Sequence, residues 1–113
     1  MRMKDLVLTT SLALLLPLSS LPTLAQTNWA VTKTMPIGGP GAWDYLTVDP
    51  ATHRLFVPRT THTMVIDADS GKTLGDIPGQ KTAHGVAIVP KAGRGFITDG
   101  GGSGAIIVFD LKT

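Results

Sequence analysis

An all-β fold made of repeated strand units is what this sequence predicts, and three observations carry the prediction. Past residue 25, Val, Ile and Thr supply 26 of the remaining 88 residues, whereas four Leu and no Glu occur there. β-Branched side chains suit a pleated, half-buried surface, and strong helix formers are scarce. Short apolar alternations are separated by turn chemistry throughout. The sequence also repeats itself with a period of 40–43 residues.

The repeat is read by laying Asp44–Arg59 over His84–Asp99. At an offset of 40, Pro50 meets Pro90, Arg54 meets Arg94 and Phe56 meets Phe96. Leu46/Val86, Val48/Ile88 and Val57/Ile97 match in character. Further on, Val65-Ile66-Asp67 meets Val108-Phe109-Asp110 at an offset of 43, the three extra residues falling in the glycine-rich stretch Gly100–Gly104. Several short strands per unit of this length are the signature of a β-propeller blade.

The strands follow in order. Tyr45–Val48 opens the first unit, with Leu46 and Val48 alternating with Thr47. Asp49-Pro50-Ala51-Thr52 is a turn. Arg54–Pro58 and Thr63–Ile66 are the second and third strands. Asp67-Ala68-Asp69-Ser70-Gly71 turns the chain, Gly71 suiting a positive φ. Lys72–Ile77 is the fourth strand. The second unit runs Gly85–Val89, Arg94–Thr98 and Ala105–Phe109, and its fourth strand is absent. Upstream, Trp29–Ile37 resembles a fourth strand, ahead of Gly38-Gly39-Pro40-Gly41. The expected organisation is a signal peptide over 1–25 and a partial propeller over 26–113. Within the propeller, 26–41 is a strand and entry loop, 42–79 a blade and 80–113 an incomplete blade.

The leader reading rests on Arg2 and Lys4, the apolar run Leu6–Leu16, the break at Pro17, and small residues at Thr23 and Ala25. This is the order of a secretory signal peptide, with cleavage expected after Ala25. The apolar run is too short for the roughly 20 residues of a spanning helix. The expected location is periplasmic or secreted, with no membrane span after cleavage. Zero Cys excludes a disulfide scaffold, a thiolate-zinc site, a thiol nucleophile and a lipoprotein anchor. A formal charge of +2, with the eight basic residues past the leader scattered singly, supplies no electrostatic groove for nucleic acid.

Gly41-Ala-Trp-Asp-Tyr-Leu-Thr-Val-Asp-Pro50 resembles the opening of the YncE-like, YVTN-repeat propeller proteins. Phe56-Val-Pro-Arg59 and Phe96-Ile-Thr-Asp99 sit where that family carries Tyr-Val-Thr-Asn. Val65-Ile-Asp67, Gly71-Lys72, Ile77-Pro78-Gly79 and His84-Gly-Val-Ala87 continue the likeness over roughly residues 28–113. Arg59 and Asp99 depart from the motif's Asn. The resemblance implies a propeller, seven-bladed when complete, of which this chain holds about two blades plus an N-terminal strand. A blade cannot bury both faces alone, so the expectation is the front part of a protein of about 300–350 residues.

Propellers take ligands over one end of their central channel. On this reading Gly38–Asp44, Arg59–His62, Gln80–His84 and Asp99–Gly104 are loops at that rim. They present Trp43, Asp44, Arg59, His62, His84 and Asp99 as ligand-binding candidates. Asp44 and His84 are repeat-equivalent, so proton transfer or metal ligation stands beside plain bonding to loop backbone. Arg59 and Asp99 are also equivalent, and an ion pair between blades is the expected structural role. Trp43 and Tyr45 are either packing between blades or a stacking platform. Asp67-x-Asp69-x-Gly71 lacks the further ligands and the Glu of a calcium loop, leaving a hairpin turn. Gly71-Lys72-Thr73 lacks the preceding Gly of a phosphate loop. Gly100–Ala105 precedes a strand where a dinucleotide fingerprint must open a helix.

No catalytic residue, metal or cofactor is expected from this piece. The expected function is binding or scaffolding, with a small molecule or protein at the rim. The alternatives are a propeller enzyme, either a lactonase-type hydrolase or a quinone-dependent dehydrogenase, and binding of single-stranded DNA or another polyanion. The apolar, uncharged run Ala105–Phe109 with no strand beside it is expected to make the chain poorly soluble.

Overall fold

The computed structural model describes residues 28–112. The signal-peptide reading and the cleavage after Ala25 lie outside the described residues. The chain divides after Ala30, and every strand belongs to the unit that begins at Val31. Among the described residues no helix is long and apolar enough to cross a membrane.

The protein is all-β: six antiparallel strands in sequential order form one curled, propeller-like half-barrel sheet. They are β1 (Thr47–Asp49), β2 (Arg54–Pro58), β3 (Thr60–Asp67), β4 (Thr73–Val89), β5 (Arg94–Asp99) and β6 (Ala105–Asp110). A single 3-10 turn, Pro90–Ala92, joins β4 to β5. Every strand expected from Thr47 onward is present, with ends moved by a few residues. Two expectations change. The segment Trp29–Ile37 carries no ladder pairing, since no strand lies beside it among the described residues. The expected fourth strand and the first strand of the next unit are one 17-residue strand, β4, so Gln80–His84 lies within a strand and not a loop.

β4 serves two neighbours in turn. Its first half pairs with β3, Thr63 opposite Ile77 and Val65 opposite Gly75. Its second half pairs with β5, Val86 opposite Ile97 and Val89 opposite Arg94. A register shift between Ala83 and Val86 marks the handover. Such an irregularity bends a strand and strengthens its twist. The sheet therefore reads as two half-sheets, β1-β2-β3 with the front of β4, and the rear of β4 with β5-β6.

The repeat recurs in the backbone hydrogen bonds. The Ala68 amide donates to the His53 carbonyl at 2.8 Å, and the Leu111 amide donates to the Gly93 carbonyl at 3.0 Å. His53 and Gly93 both have positive φ, 53° and 64°. The Asp67 carboxylate caps the Asp69 amide, and the Asp110 carboxylate caps the Lys112 amide. Each partner in the second unit lies 40 or 43 residues after its counterpart, the same offsets that relate the two sequences.

Residues opposite each other on paired strands share a sheet face. In the first half-sheet, Thr47, Phe56, Val65 and Gly75 lie on one face. Val48, Leu55, Val57, Met64 and Ile66 lie on the other. Val57, Met64 and Ile66 form a buried cluster against which Ile37 and Leu55 pack. In the second half-sheet, Val86, Gly95, Ile97, Ile107 and Phe109 share a face. That face turns onto the first half-sheet: the rings of Phe56 and Phe109 lie 5.6 Å apart, tilted by 46°. Gly95 makes this possible, because a Cβ there would occupy the position of the Phe109 ring. The Thr47 hydroxyl donates to the Val86 carbonyl at 2.6 Å, and an Arg54 guanidinium nitrogen donates to the Leu111 carbonyl at 2.8 Å. Two side-chain bonds to backbone carbonyls thus tie the half-sheets together.

Candidate functional site

The entries to the two equivalent inner strands meet at one end of this seam. The Tyr45 amide donates to the His84 carbonyl at 3.0 Å, which draws the start of β1 against β4. Asp44, just before, then faces the His84 ring. His84 Nδ1 lies 2.6 Å from Asp44 Oδ2, with side-chain exposures of 46% and 35%. An ionised carboxylate can only accept, so Nδ1 donates in this bond, and in the neutral form of the ring Nε2 is the acceptor. Nε2 makes no hydrogen bond among the described residues. It points across Gly100: a Cβ on that glycine would lie 2.7 Å from it.

Asp99, at the end of β5, is buried, with 7% of its surface exposed. Its carboxylate accepts from the amides of Lys81, Thr82 and Gly101 at 2.7–3.0 Å. The Lys81 and Thr82 amides lie beside the register shift of β4, and that of Gly101 in the loop after β5; buried donors require an acceptor. The amide bonds, that of Gly101 foremost, hold the Asp99 carboxyl below its ordinary value. The Gly100 amide adds a bond to the Thr82 carbonyl at 2.9 Å. Asp99 thus fixes the backbone that carries His84 and Gly100.

Arg59 occupies the turn between β2 and β3, and its guanidinium donates to the carbonyls of Gly39 and Pro40. Gly41 packs so tightly there that a Cβ would lie 2.6 Å from the Arg59 carbonyl oxygen, and its φ is +87°. The expected Arg59–Asp99 ion pair is not formed. Each side chain instead satisfies main-chain groups of its own neighbourhood that the ladder leaves open. His62 is set apart from the Asp44–His84 pair, its Nε2 3.6 Å from Asp76 Oδ1. Trp43 and Tyr45 are exposed at 73% and 75%, with no packing role within the described residues.

Of the six candidates, the structure brings Asp44 and His84 into direct contact and sets Asp99 beneath them. Arg59 anchors the neighbouring turn, Trp43 stands open beside Asp44, and His62 lies elsewhere. Gly100 joins the site although its type suggests only part of a hairpin loop. Its signal in the sequence is a glycine run 40 residues beyond a strained turn that the other repeat fills with Thr60.

The Asp67–Gly71 turn is a hairpin turn, as expected. The Asp67 carboxylate accepts from the amides of Asp69 and Ser70 and from the Ser70 hydroxyl. Asp69 also meets His53 Nδ1 at 2.7 Å. Among the described residues no group of three His or carboxylate side chains could hold a metal ion. Several cations are occupied within the chain: Arg54 and Arg59 on carbonyls, Lys33 on the Asp69 carbonyl and Arg94 on Asp110 at 2.8 Å. They form no continuous basic surface.

A cleft of about 520 Å³ lies between the half-sheets, lined by Phe56, Val65, Leu74, Ile77 and Phe109, with Arg54 and Asp110 also on its wall. It lies along the seam, among strand residues and not among the loop residues of the rim.

Comparison with protein-family models, with curated proteins and with solved structures returned no match.

Proposed function

We propose that this chain is part of an exported propeller-type binding protein of the YVTN-repeat kind, and that it takes a polar ligand at the rim around Asp44 and His84. The observation that carries the reading is the 2.6 Å Asp44–His84 bond. It joins repeat-equivalent positions of two adjacent units and leaves Nε2, beside Gly100, without a hydrogen bond among the described residues. A histidine held this way offers one fixed hydrogen-bond acceptor to a ligand hydroxyl or amide. Asp99 keeps the backbone beneath it in place, and the exposed Trp43 beside it offers an apolar surface for a ring or chain. The repeated turn bonds at His53 and Gly93 support reading the half-sheets as successive blades.

The experiment is a titration of the purified protein with libraries of polyols, nucleosides and short peptides, followed by calorimetry on any member that binds. Replacing His84→Ala removes one hydrogen bond and should weaken binding about tenfold, roughly 1.4 kcal/mol. Trp43→Ala should weaken it too, by loss of contact area. Failure of every library member to bind, or equal affinity in the His84→Ala protein, would defeat the proposal.

The same pair favours a second reading, in which His84 acts as a general base. Asp44 orients the ring as that role needs. No serine or threonine hydroxyl hydrogen-bonds His84 among the described residues, so a water or substrate hydroxyl would have to be the group it activates. Turnover of a lactone or ester panel that falls with His84→Gln, where ligand affinity is kept, would favour catalysis over binding.

A further inference from the structure

The glycine run after β5 lies under two side chains of β4. A Cβ on Gly100 would lie 2.7 Å from His84 Nε2, and a Cβ on Gly101 would overlap the Cβ of Lys81. A Cβ on Gly102 would lie 3.4 Å from Lys81 Nζ. The φ of Gly102 is +66°, a second reason for glycine at that position. The overlap at Gly101 is with an atom fixed to the strand, which cannot swing aside. Three consecutive residues are thus bare where an imidazole and an ammonium stem cross them.

The first unit exchanges these roles. Gly41 stands 40 residues before Lys81, and Arg59 and Thr60 stand 40 residues before Asp99 and Gly100. There the glycine precedes the inner strand, packed against the Arg59 carbonyl, and the long cationic residue comes from the turn. The two cations differ in what they meet. Arg59 donates to the carbonyls of Gly39 and Pro40. The Lys81 side chain is exposed, and its ammonium makes no ion pair or hydrogen bond among the described residues. Asp99, the carboxylate of the same turn, is taken up by three amides, that of Lys81 among them.

We infer that the rim takes a small hydroxylated anion, a carboxylate or a phosphate. It lies on the bare Gly100–Gly102 backbone with its anionic group at the Lys81 ammonium and a hydroxyl at His84 Nε2. The inference rests on the rim reading and narrows it to a ligand class. The two ends of the glycine run ask for unlike groups. A lysine ammonium has donors only and attracts negative charge, whereas the unprotonated nitrogen of a neutral imidazole accepts from a hydroxyl. Asp44 is held on the Nδ1 side of the ring, away from the Nε2 that meets the ligand. Bare backbone between the two side chains lets a short chain approach closely.

The test uses four compounds, each titrated into the isotope-labelled protein at fixed ionic strength and followed by its amide spectrum. Erythronate and erythritol phosphate carry hydroxyls and an anionic group, erythritol carries only the hydroxyls, and acetate only the anion. At least one of the hydroxylated anions should bind about tenfold more tightly than erythritol and than acetate, and should shift the Gly101 and Gly102 amides. Lys81→Met keeps the stem over Gly101 and should bring that anion down to the affinity of erythritol. Lys91→Met, on the turn at the other end of β5, should leave it unchanged. Added salt should weaken the anion and spare erythritol. Equal affinity for the anions and erythritol, with His84→Ala still weakening erythritol, overturns this inference and leaves the rim reading intact. Anions that bind Lys81→Met as tightly as the unsubstituted protein overturn it as well. If neither these compounds nor any member of the polyol, nucleoside and peptide libraries binds, both readings fall.

Discussion

Thr60 is the residue at which local chemistry and position conflict most. Its φ is 63°, a left-handed value that a β-branched residue resists at a cost of about 1–2 kcal/mol. It follows Arg59 at the turn into β3, where the Arg59 amide donates to the His62 carbonyl at 2.7 Å. Replacing Thr60→Gly removes the strain and should stabilise the fold by about 1 kcal/mol, less the extra backbone entropy of glycine. Thermal unfolding checks this, and a lower melting temperature would mean that the Thr60 side chain contributes more packing than its strain costs. Strained backbone persists where surrounding structure over-determines it. Here Gly41 and the guanidinium of Arg59 press on the same turn.

At the scale of elements, the seam depends on one ring lying over one glycine. Phe56 is buried between Phe109 and the first half-sheet, so Phe56→Ala should destabilise by about 3–5 kcal/mol. Gly95→Ala should also be strongly destabilising although it adds only a methyl group, because that methyl displaces the Phe109 ring. Denaturant melts of both variants, with Gly93→Ala as a control, check the assignment. Gly93 has open space around its Cβ position, so that control carries only the cost of its φ of +64°. If Gly95→Ala melts no lower than Gly93→Ala, the ring does not sit where the seam requires it. The strand β4 belongs to this scale too. Pro78-Gly79-Gln80 looks like a break in sequence, yet β4 runs through it. The Gln80 side chain, buried, donates to the Ile77 and Pro78 carbonyls and accepts from the Thr63 hydroxyl, which ties the stretch around Pro78, a residue with no amide to give to the ladder, to β3.

For the whole molecule, stability should be asymmetric in pH. Asp49, Asp67 and Asp99 all titrate below their ordinary value of 3.8. The first causes are, respectively, the Thr52 hydroxyl, the Ser70 hydroxyl and the Gly101 amide. The unfolded chain therefore binds more protons than the folded one in the acid range, and stability falls as pH drops from about 4 through the folded values. His53 is raised above 6.5, first by its hydrogen bond to Asp69. Its contribution is complete below 6.5 and is lost as pH rises through the folded value. Melting temperature against pH should show an acid arm that Asp99→Asn flattens. A smaller decline on the alkaline side should vanish in His53→Ala. A single arm that both variants leave unchanged would refute the assignment.

The sequence by itself determined the all-β class, the repeat unit and nearly every strand from Thr47 onward. These are written in β-branched content, in period-two alternation and in turn residues such as Asp67–Gly71, all local signals. It also singled out Asp44 and His84 through their equivalent positions in the repeat. Only the tertiary structure decided that the two side chains bond to each other and that Arg59 and Asp99 do not. That outcome depends on how far the sheet curls and on which backbone donors a register shift leaves open, and neither quantity has a local signature. The same curl decided which apolar faces are buried. Alternation assigns Phe56 and Phe96 to corresponding faces, but only the closing of the second half-sheet onto the first buries one seam and leaves its counterpart open.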